Sequence, residues 1–308
     1  MFEQICRMTQ KELKEYVTKQ LTKTHKNVVA SDGYVYAQGK FPVLLVAHMD
    51  TVHKEAPYEF IYNSRQKSYS SPQGIGGDDR CGIYMIFEII KQYNCSVLFC
   101  EDEEIGCVGA QKFIETELAR SLEFNYIIEL DRQGRNDAVF YDCDNPEFEE
   151  FITKEYYETA IGSFTDISYL APYIGCAAVN LSCGYYKAHT DNEYVVISEM
   201  HKSIEAACKI LERTTAEDKF EYIEADYGRY NYKSSYSYWD SYDYGDNADY
   251  DYEGRFYYLI EYADPDGKTQ WCDITANSDA EAIGKFCMKY PNSTFNDIID
   301  MCAEDAYC

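Results

Sequence analysis

An α/β fold, a mostly parallel sheet sandwiched by helices with a small α+β module after it, is what this sequence predicts. Three observations predict it. Continuous apolar runs of strand length alternate with helix-periodic segments from residue 1 to about 213. Short clusters of histidine and acidic residues follow those runs, where strand ends are expected. Near residue 214 the composition changes, and apolar strand patterns return only from 255 onward.

Taken in order, the charged stretch from about Gln10 to Thr24 reads as a helix, and Ser31-Asp32-Gly33 as the turn of a short hairpin. Phe41 to Ala47 is continuously apolar, the pattern of a strand buried on both faces. From Asp79 to Tyr93 the residues Ile83, Met85, Ile86 and Ile89 form one helical stripe. Ser96 to Cys100 is the next strand and Val108 to Leu122 the next helix. Asn125 to Glu129 follows as a strand, Glu147 to Tyr157 as a helix, Cys176 to Leu181 as a strand and Ser198 to Arg213 as a closing helix. Strands alternating with helices of this length imply a largely parallel sheet covered on both faces.

Residues 214–254 are dense in Tyr and Asp and poor in aliphatic side chains, as in Tyr236-Ser237-Tyr238-Trp239-Asp240. Such a composition cannot bury a core of its own and predicts a disordered linker. In 255–308 a strand is expected over Phe256 to Tyr262, a tight turn at Asp264-Pro265-Asp266-Gly267 and a return strand from Thr269 to Ile274. A capping box at Ser278-Asp279-Ala280-Glu281 opens a helix to about Tyr290, and a third strand is expected over Phe295 to Met301.

The formal net charge of −26 argues against nucleic acid or an anionic membrane as partner, since both need a basic face. No apolar run reaches the roughly 20 residues of a membrane span. The N-terminus lacks the basic start and apolar stretch of a secretory signal, so a cytoplasmic protein is expected. The thirteen cysteines are odd in number and lie partly in apolar stretches, which reads as reduced, buried thiols.

Five clusters carry the chemistry: His48-Met49-Asp50, Gly77-Asp78-Asp79-Arg80-Cys81-Gly82, Asp102-Glu103-Glu104-Ile105-Gly106, Glu129-Leu130-Asp131 and His189-Thr190-Asp191-Asn192-Glu193. Ligand sites in open α/β sheets lie beyond the carboxyl ends of the strands, so these separated segments can converge on one crevice. Zinc accepts imidazole nitrogen and carboxylate oxygen. Two such ions side by side repel, so a shared carboxylate is needed between them, and Asp78, among Gly74, Gly76 and Gly77, is the candidate bridge. His48 and Asp131 would hold one ion, Glu104 and His189 the other. Glu103 neighbours a ligand and is the expected general base for attack of water on an amide. Asp50 can accept the second imidazole N–H of His48 and fix its tautomer. Two zinc ions per chain are expected, although cobalt or manganese tolerates the same donors.

Each piece also has an ordinary structural reading. Asp78-Asp79 could be charge at a helix N-terminus, a Glu-Glu pair is usually a solvated face, and Glu129 competes with Asp131 because they share a strand face. His25 and His53 read as surface residues. The conjunction of five clusters in order is what points to a site.

That set of motifs resembles the co-catalytic di-zinc exopeptidase superfamily, which includes peptidase T, the zinc aminopeptidases and the acylamino-acid deacylases. His48-Met49-Asp50-Thr51-Val52 looks like its first ligand and orienting aspartate, Asp78 its bridge, Glu103-Glu104 its base and ligand, Asp131 its fourth ligand and His189 its last histidine. Ser163-Phe164-Thr165-Asp166 is similar to a Gly-Thr-Asp segment of several members. The resemblance covers about residues 10 to 213 and implies a zinc-exopeptidase fold. Only 57 residues separate Asp131 from His189, too few for the lid domain of the larger relatives. Tyr185 or Tyr186 is the candidate replacement for the lid's oxyanion donor. The resemblance implies an aminopeptidase on short peptides. The alternatives are a deacylase of N-acyl amino acids and, in another class, a metal-stabilised scaffold. The oligomeric state stays open.

Overall fold

The computed structural model describes residues 1–162, 164–225, 256–263, 268–276 and 294–300. They divide into two units, Met1–Arg229 and Tyr230–Cys308.

The first unit begins with two helices, α1 (Phe2–Cys6) and α2 (Gln10–Leu21). Thr9 starts α2 through a reciprocal capping box with Glu12, which satisfies two of the free backbone donors at the helix start. A hairpin follows, β1 (Asn27–Ser31) and β2 (Tyr34–Gln38), turning at Gly33 with φ +90°. Strand β3 (Phe41–His48) is next, then the short pair β4 (Ile61–Asn63) and β5 (Ser68–Ser70). Helix α3 (Gly77–Ile89) leads to β6 (Cys95–Cys100), and α4 (Val108–Ile114) and α5 (Glu117–Arg120) to β7 (Tyr126–Arg132). After β8 (Asp137–Val139) come α6 (Pro146–Thr153), β9 (Glu158–Ala160), α7 (Asp166–Ile174) and β10 (Ala178–Ser182). Strands β11 (Tyr185–Tyr186) and β12 (Tyr194–Val196) precede the closing helix α8 (Ile197–Arg213).

Eight strands form one mixed sheet in the order β1-β2-β6-β3-β7-β10-β8-β9, whose centre, β6-β3-β7-β10, is parallel. The α/β class read from the sequence is therefore the observed one. Val43, Leu44, Leu45, Val46 and Ala47 of β3 are all fully buried. Val43, Leu45 and Ala47 join the core under α1, α2, α3, α6 and α8, whereas Leu44 and Val46 join the core under α4 and α7. The uninterrupted apolar run thus serves two faces at once, as a central parallel strand must. A second sheet, β11-β12-β5-β4, is antiparallel and small.

Four sequence expectations need correction. The helix expected from Val108 to Leu122 is two helices, because Thr116 is extended (φ −85°, ψ 150°) and its hydroxyl caps the Ala119 N–H, starting a new helix. The boundary expected at 213 falls later. Phe220 stacks among Tyr126, Phe148 and Phe151, and its backbone bonds Asn125 and Ala177, so residues 214–225 complete the first unit. The rest of the expected linker, 226–254, lies outside the described residues. His25 is buried, bonded to the Cys95 carbonyl (2.9 Å) and the Thr24 hydroxyl (2.8 Å). His53 is also drawn inward, to Glu193 (2.8 Å).

The second unit shows three antiparallel strands, β13 (Phe256–Ala263) paired on one side with β14 (Thr269–Ala276) and on the other with β15 (Thr294–Asp300). These are the three strands expected; the turn at 264–267 and the helix at 278–290 lie outside the described residues. Among the described residues no helix is long and apolar enough to cross a membrane.

Candidate metal centre

The carboxyl ends of the parallel strands deliver most of the candidate side chains. His48 ends β3, the loop after β6 carries Glu103 and Glu104, and Asp131 is the penultimate residue of β7. Asp78 sits at the start of α3, where Asp78 and Asp79 have non-helical dihedrals. His189 arrives differently, on the loop of the β11–β12 hairpin, with φ +62°. Asp102 (φ +60°) and Cys107 (φ +54°) also hold the left-handed region, so the loops that carry the site are locally strained.

The five expected ligands meet. Asp78 Oδ1 lies 3.1 Å from His48 Nε2, which is 3.4 Å from Asp131 Oδ1. Asp78 Oδ2 lies 3.1 Å from His189 Nε2, which is 2.9 Å from Glu104 Oε2. One carboxylate therefore faces a different histidine–carboxylate set with each of its oxygens, the arrangement a bridging ligand needs. His48, Asp78 and Glu104 offer atoms close enough to share an ion. His48, Asp79 and Asp131 do as well, but Asp79 already accepts the backbone N–H groups of His48 (3.2 Å) and Gly82 (2.9 Å).

Asp50 does more than the sequence implied. Its Oδ1 lies 3.1 Å from His48 Nδ1 and accepts the Glu103 N–H (3.0 Å), while Oδ2 accepts the Glu104 N–H (3.0 Å). One carboxylate thus orients the imidazole and fixes the loop carrying the candidate base. Burial alone would raise its pKa, yet the His48 imidazole and the two peptide N–H groups hold it below the usual range. Glu103 is half-buried, with Cys107 Sγ 3.4 Å from its Oε1. Burial first, and the carboxylates of Asp131, Asp166 and Glu104 after it, push its pKa well up against the opposing His48.

A bulge aims Asp131. Asn180 pairs with Glu129 and Ser182 with Arg132, so β7 has one residue more than β10 in this interval. The amide of Asn180 fills the gap, accepting the Asp131 N–H (2.9 Å) and donating to its carbonyl (3.2 Å). Such a bulge changes the phase of a strand and separates Asp131 from Glu129. Glu129 points into the interior with Oε2 unpartnered, and burial pushes its pKa well up. Thr165 donates to Asp131 Oδ2 (3.1 Å). Asp166 next to it is wholly buried beside the Cys100 and Cys107 thiols, and burial raises its pKa to about 6.

The expected oxyanion donors are otherwise engaged. Tyr185 is buried and donates to Asp131 O (3.1 Å) and Oδ1 (3.2 Å), and Tyr186 bonds Glu199. Both hydroxyls are spent on protein carboxylates, so neither fits that role. Glu193, unassigned by the sequence reading, is fully buried within the same network.

The residues fit bound divalent metal. Carboxylates crowd two imidazoles at the distances above, and Glu104 Oε1 is buried without a partner. His48 shows the imbalance: burial lowers its pKa, yet the charge and hydrogen bond of Asp131, with those of Asp50, raise it well above the usual value. A buried cluster of this kind needs positive charge to balance it.

Residues 27–172 match the model of Peptidase family M28. The match includes the clusters around His48, Asp78, Glu103 and Asp131 but stops before His189. No curated protein sequence matches the chain. Among solved structures it is similar to aminopeptidase PepT from Bacillus cereus, with TM-score 0.57 and 15% identity over 68% of this chain and 96% of that one. It is similar also to a tripeptidase from Staphylococcus aureus, with TM-score 0.54 and 13% identity over 68% and 96%. An aminopeptidase from the archaeon Desulfurococcus kamchatkensis gives TM-score 0.56 and 13% identity over 70% and 95%.

Proposed function

We propose that this chain, whose first unit carries the Peptidase family M28 pattern, is a metal-dependent exopeptidase that works as an aminopeptidase on short peptides. Metal-dependent peptide hydrolysis is the activity that the family match and the aminopeptidase fold support. The observation that carries the finer reading is Asp78, with one oxygen on the His48–Asp131 set and the other on the His189–Glu104 set. We assign two zinc ions to these five residues, with cobalt and manganese as substitutes.

Bound there, the ions would polarise the scissile carbonyl and ease deprotonation of the attacking water. The protein's own part is to place and move a proton. Glu103 takes it from the water at a carboxylate oxygen and returns it to the nitrogen of the leaving amine. Asp50 keeps the His48 Nε2 lone pair directed at the site and fixes the Glu103 backbone through its N–H. Reduced thiols accord with work in the cytoplasm: the nine cysteines from Cys6 to Cys208 are free.

Glu103→Gln tests the assignment. Loss of the base should lower kcat by about 100-fold to 10,000-fold, while metal content measured on the purified variant stays at two ions per chain. Near-wild-type turnover by that variant sinks the role. A peptide panel run beside it decides the substrate class: cleavage of unblocked peptides alone supports the aminopeptidase, and cleavage confined to N-acetylated ones makes the enzyme a deacylase.

A further inference from the structure

Of the motif His189-Thr190-Asp191-Asn192-Glu193, the site so far uses only the histidine. Glu193 is fully buried, and its carboxylate accepts three hydrogen bonds. Oε1 takes the N–H of Asp78 (2.9 Å), and Oε2 takes the N–H of Gly76 (2.9 Å) and faces His53 Nε2 (2.8 Å). The loop it grips is shaped for that approach. Gly76 has φ +63°, and a Cβ on Gly77 would stand 3.2 Å from Glu193 Oε1 and 2.7 Å from Tyr185. Burying a carboxylate costs several kcal/mol unless its oxygens are fully bonded, and here they are.

The placement matters because of what stands at each end. Glu193 directly precedes β12 and closes the loop that carries His189. Its carboxylate meanwhile holds the peptide of Asp78. None of its bonds reaches His48, Asp50, Asp131 or the Glu103–Glu104 loop. We propose that Glu193 is a positioning residue that sets His189 against the bridging Asp78 and thereby governs metal occupancy of the His189–Glu104 half of the centre. This rests on the two-metal reading above. Apart from the shared Asp78, the His48–Asp131 half is positioned by the sheet ladder and by Asp50, which no bond of Glu193 reaches.

Stepwise addition of cobalt(II) to metal-free protein, followed by its visible absorption, tests the inference. Wild type should take up two equivalents. Glu193→Gln presents an amide N–H2 to a backbone donor, so its second equivalent should bind about 10-fold to 100-fold more weakly, with the first little changed. The kcat should fall at limiting cobalt and recover at excess, with KM nearly constant. Glu193→Asp keeps the buried charge but shortens the strut; it should weaken the second equivalent too, and it is the variant to use should Glu193→Gln not fold. A wild-type second equivalent in the folded variant overturns the proposal. So does equal weakening of both equivalents together with a lower Tm of the metal-free protein, the mark of a merely structural role. Wild type that fails to bind two equivalents sinks the two-metal reading itself, and this inference with it.

Discussion

The two halves of the candidate centre are built from different material. His48 ends a central parallel strand and its side chain is 2% exposed; His189 rides a hairpin loop and its side chain is 38% exposed. The first half is held by the sheet: ladder bonds fix β3 between β6 and β7, Asp50 orients the imidazole, and Asn180 brackets the backbone of Asp131. In the second half Asp50 holds the Glu104 N–H, but no strand end places the histidine. That histidine lies in the left-handed region, and the loop end is tied inward through Glu193. A strand end can place a ligand through backbone geometry alone, whereas a loop has to recruit a buried side chain to do the same.

The largest effect on this contrast is expected at Asp50, where the halves are joined. Asp50→Asn replaces an acceptor of three hydrogen bonds with a group that offers one acceptor oxygen. It should reduce zinc affinity by about 10-fold to 100-fold, because the His48 imidazole loses its partner. It should also lower kcat at saturating zinc, because the Glu103 and Glu104 N–H groups lose theirs. Metal dialysis and steady-state rates on the same preparation separate the two effects. Reduced affinity with an unchanged saturating kcat would restrict Asp50 to the His48 half.

This division also explains what the sequence made legible. Periodicity found the central sheet because β3 and β6 are buried on both faces and must be apolar throughout. The ligands were legible because ions constrain residue type, and strand ends constrain position. What escaped was everything set by tertiary contact. The bulge opposite Asn180 leaves no mark on β7, so Glu129 and Asp131 remained rivals until the register was known. Thr116 looked like a residue inside a helix because its capping bond depends on an extended backbone. His25 and His53 read as surface residues because single histidines carry no pattern; each is drawn inward by a carbonyl or carboxylate distant in the chain. Glu193 could have been found only by asking why a carboxylate stands directly before the strand residues Tyr194, Val195 and Val196.

A smaller effect is expected at Tyr185, which supports the strand-borne half. Its hydroxyl donates to the carbonyl and Oδ1 of Asp131. Tyr185→Phe keeps the packing and removes one donor, a change of about 1 kcal/mol, or about fivefold in metal affinity. Because Asn180 and Thr165 still hold Asp131, the loss should stay that small. A 100-fold drop in cobalt affinity would mean that the strand end is not rigid by itself, and the contrast between the halves would weaken.

The smallest effect concerns His53, behind the hairpin-borne half. Its hydrogen bond to Glu193 raises its pKa above 6.5, with burial opposing and the charges of Glu193, Asp191 and Asp78 assisting. A group whose folded pKa exceeds its unfolded value binds protons more tightly when folded, so it stabilises the protein fully below the unfolded value. That contribution declines as pH rises through the higher folded value. His53→Gln preserves a neutral donor to Glu193 and removes only the protonatable group, worth about 1 kcal/mol at acidic pH. The Tm difference between wild type and variant should therefore be largest near pH 6 and vanish toward pH 9. Loss of the charged partner at low pH should also loosen the His189 loop, which amide hydrogen exchange at residues 187–193 would register. A Tm difference independent of pH would mean that His53 holds Glu193 as a neutral imidazole, leaving the loop anchored by the two backbone N–H bonds alone.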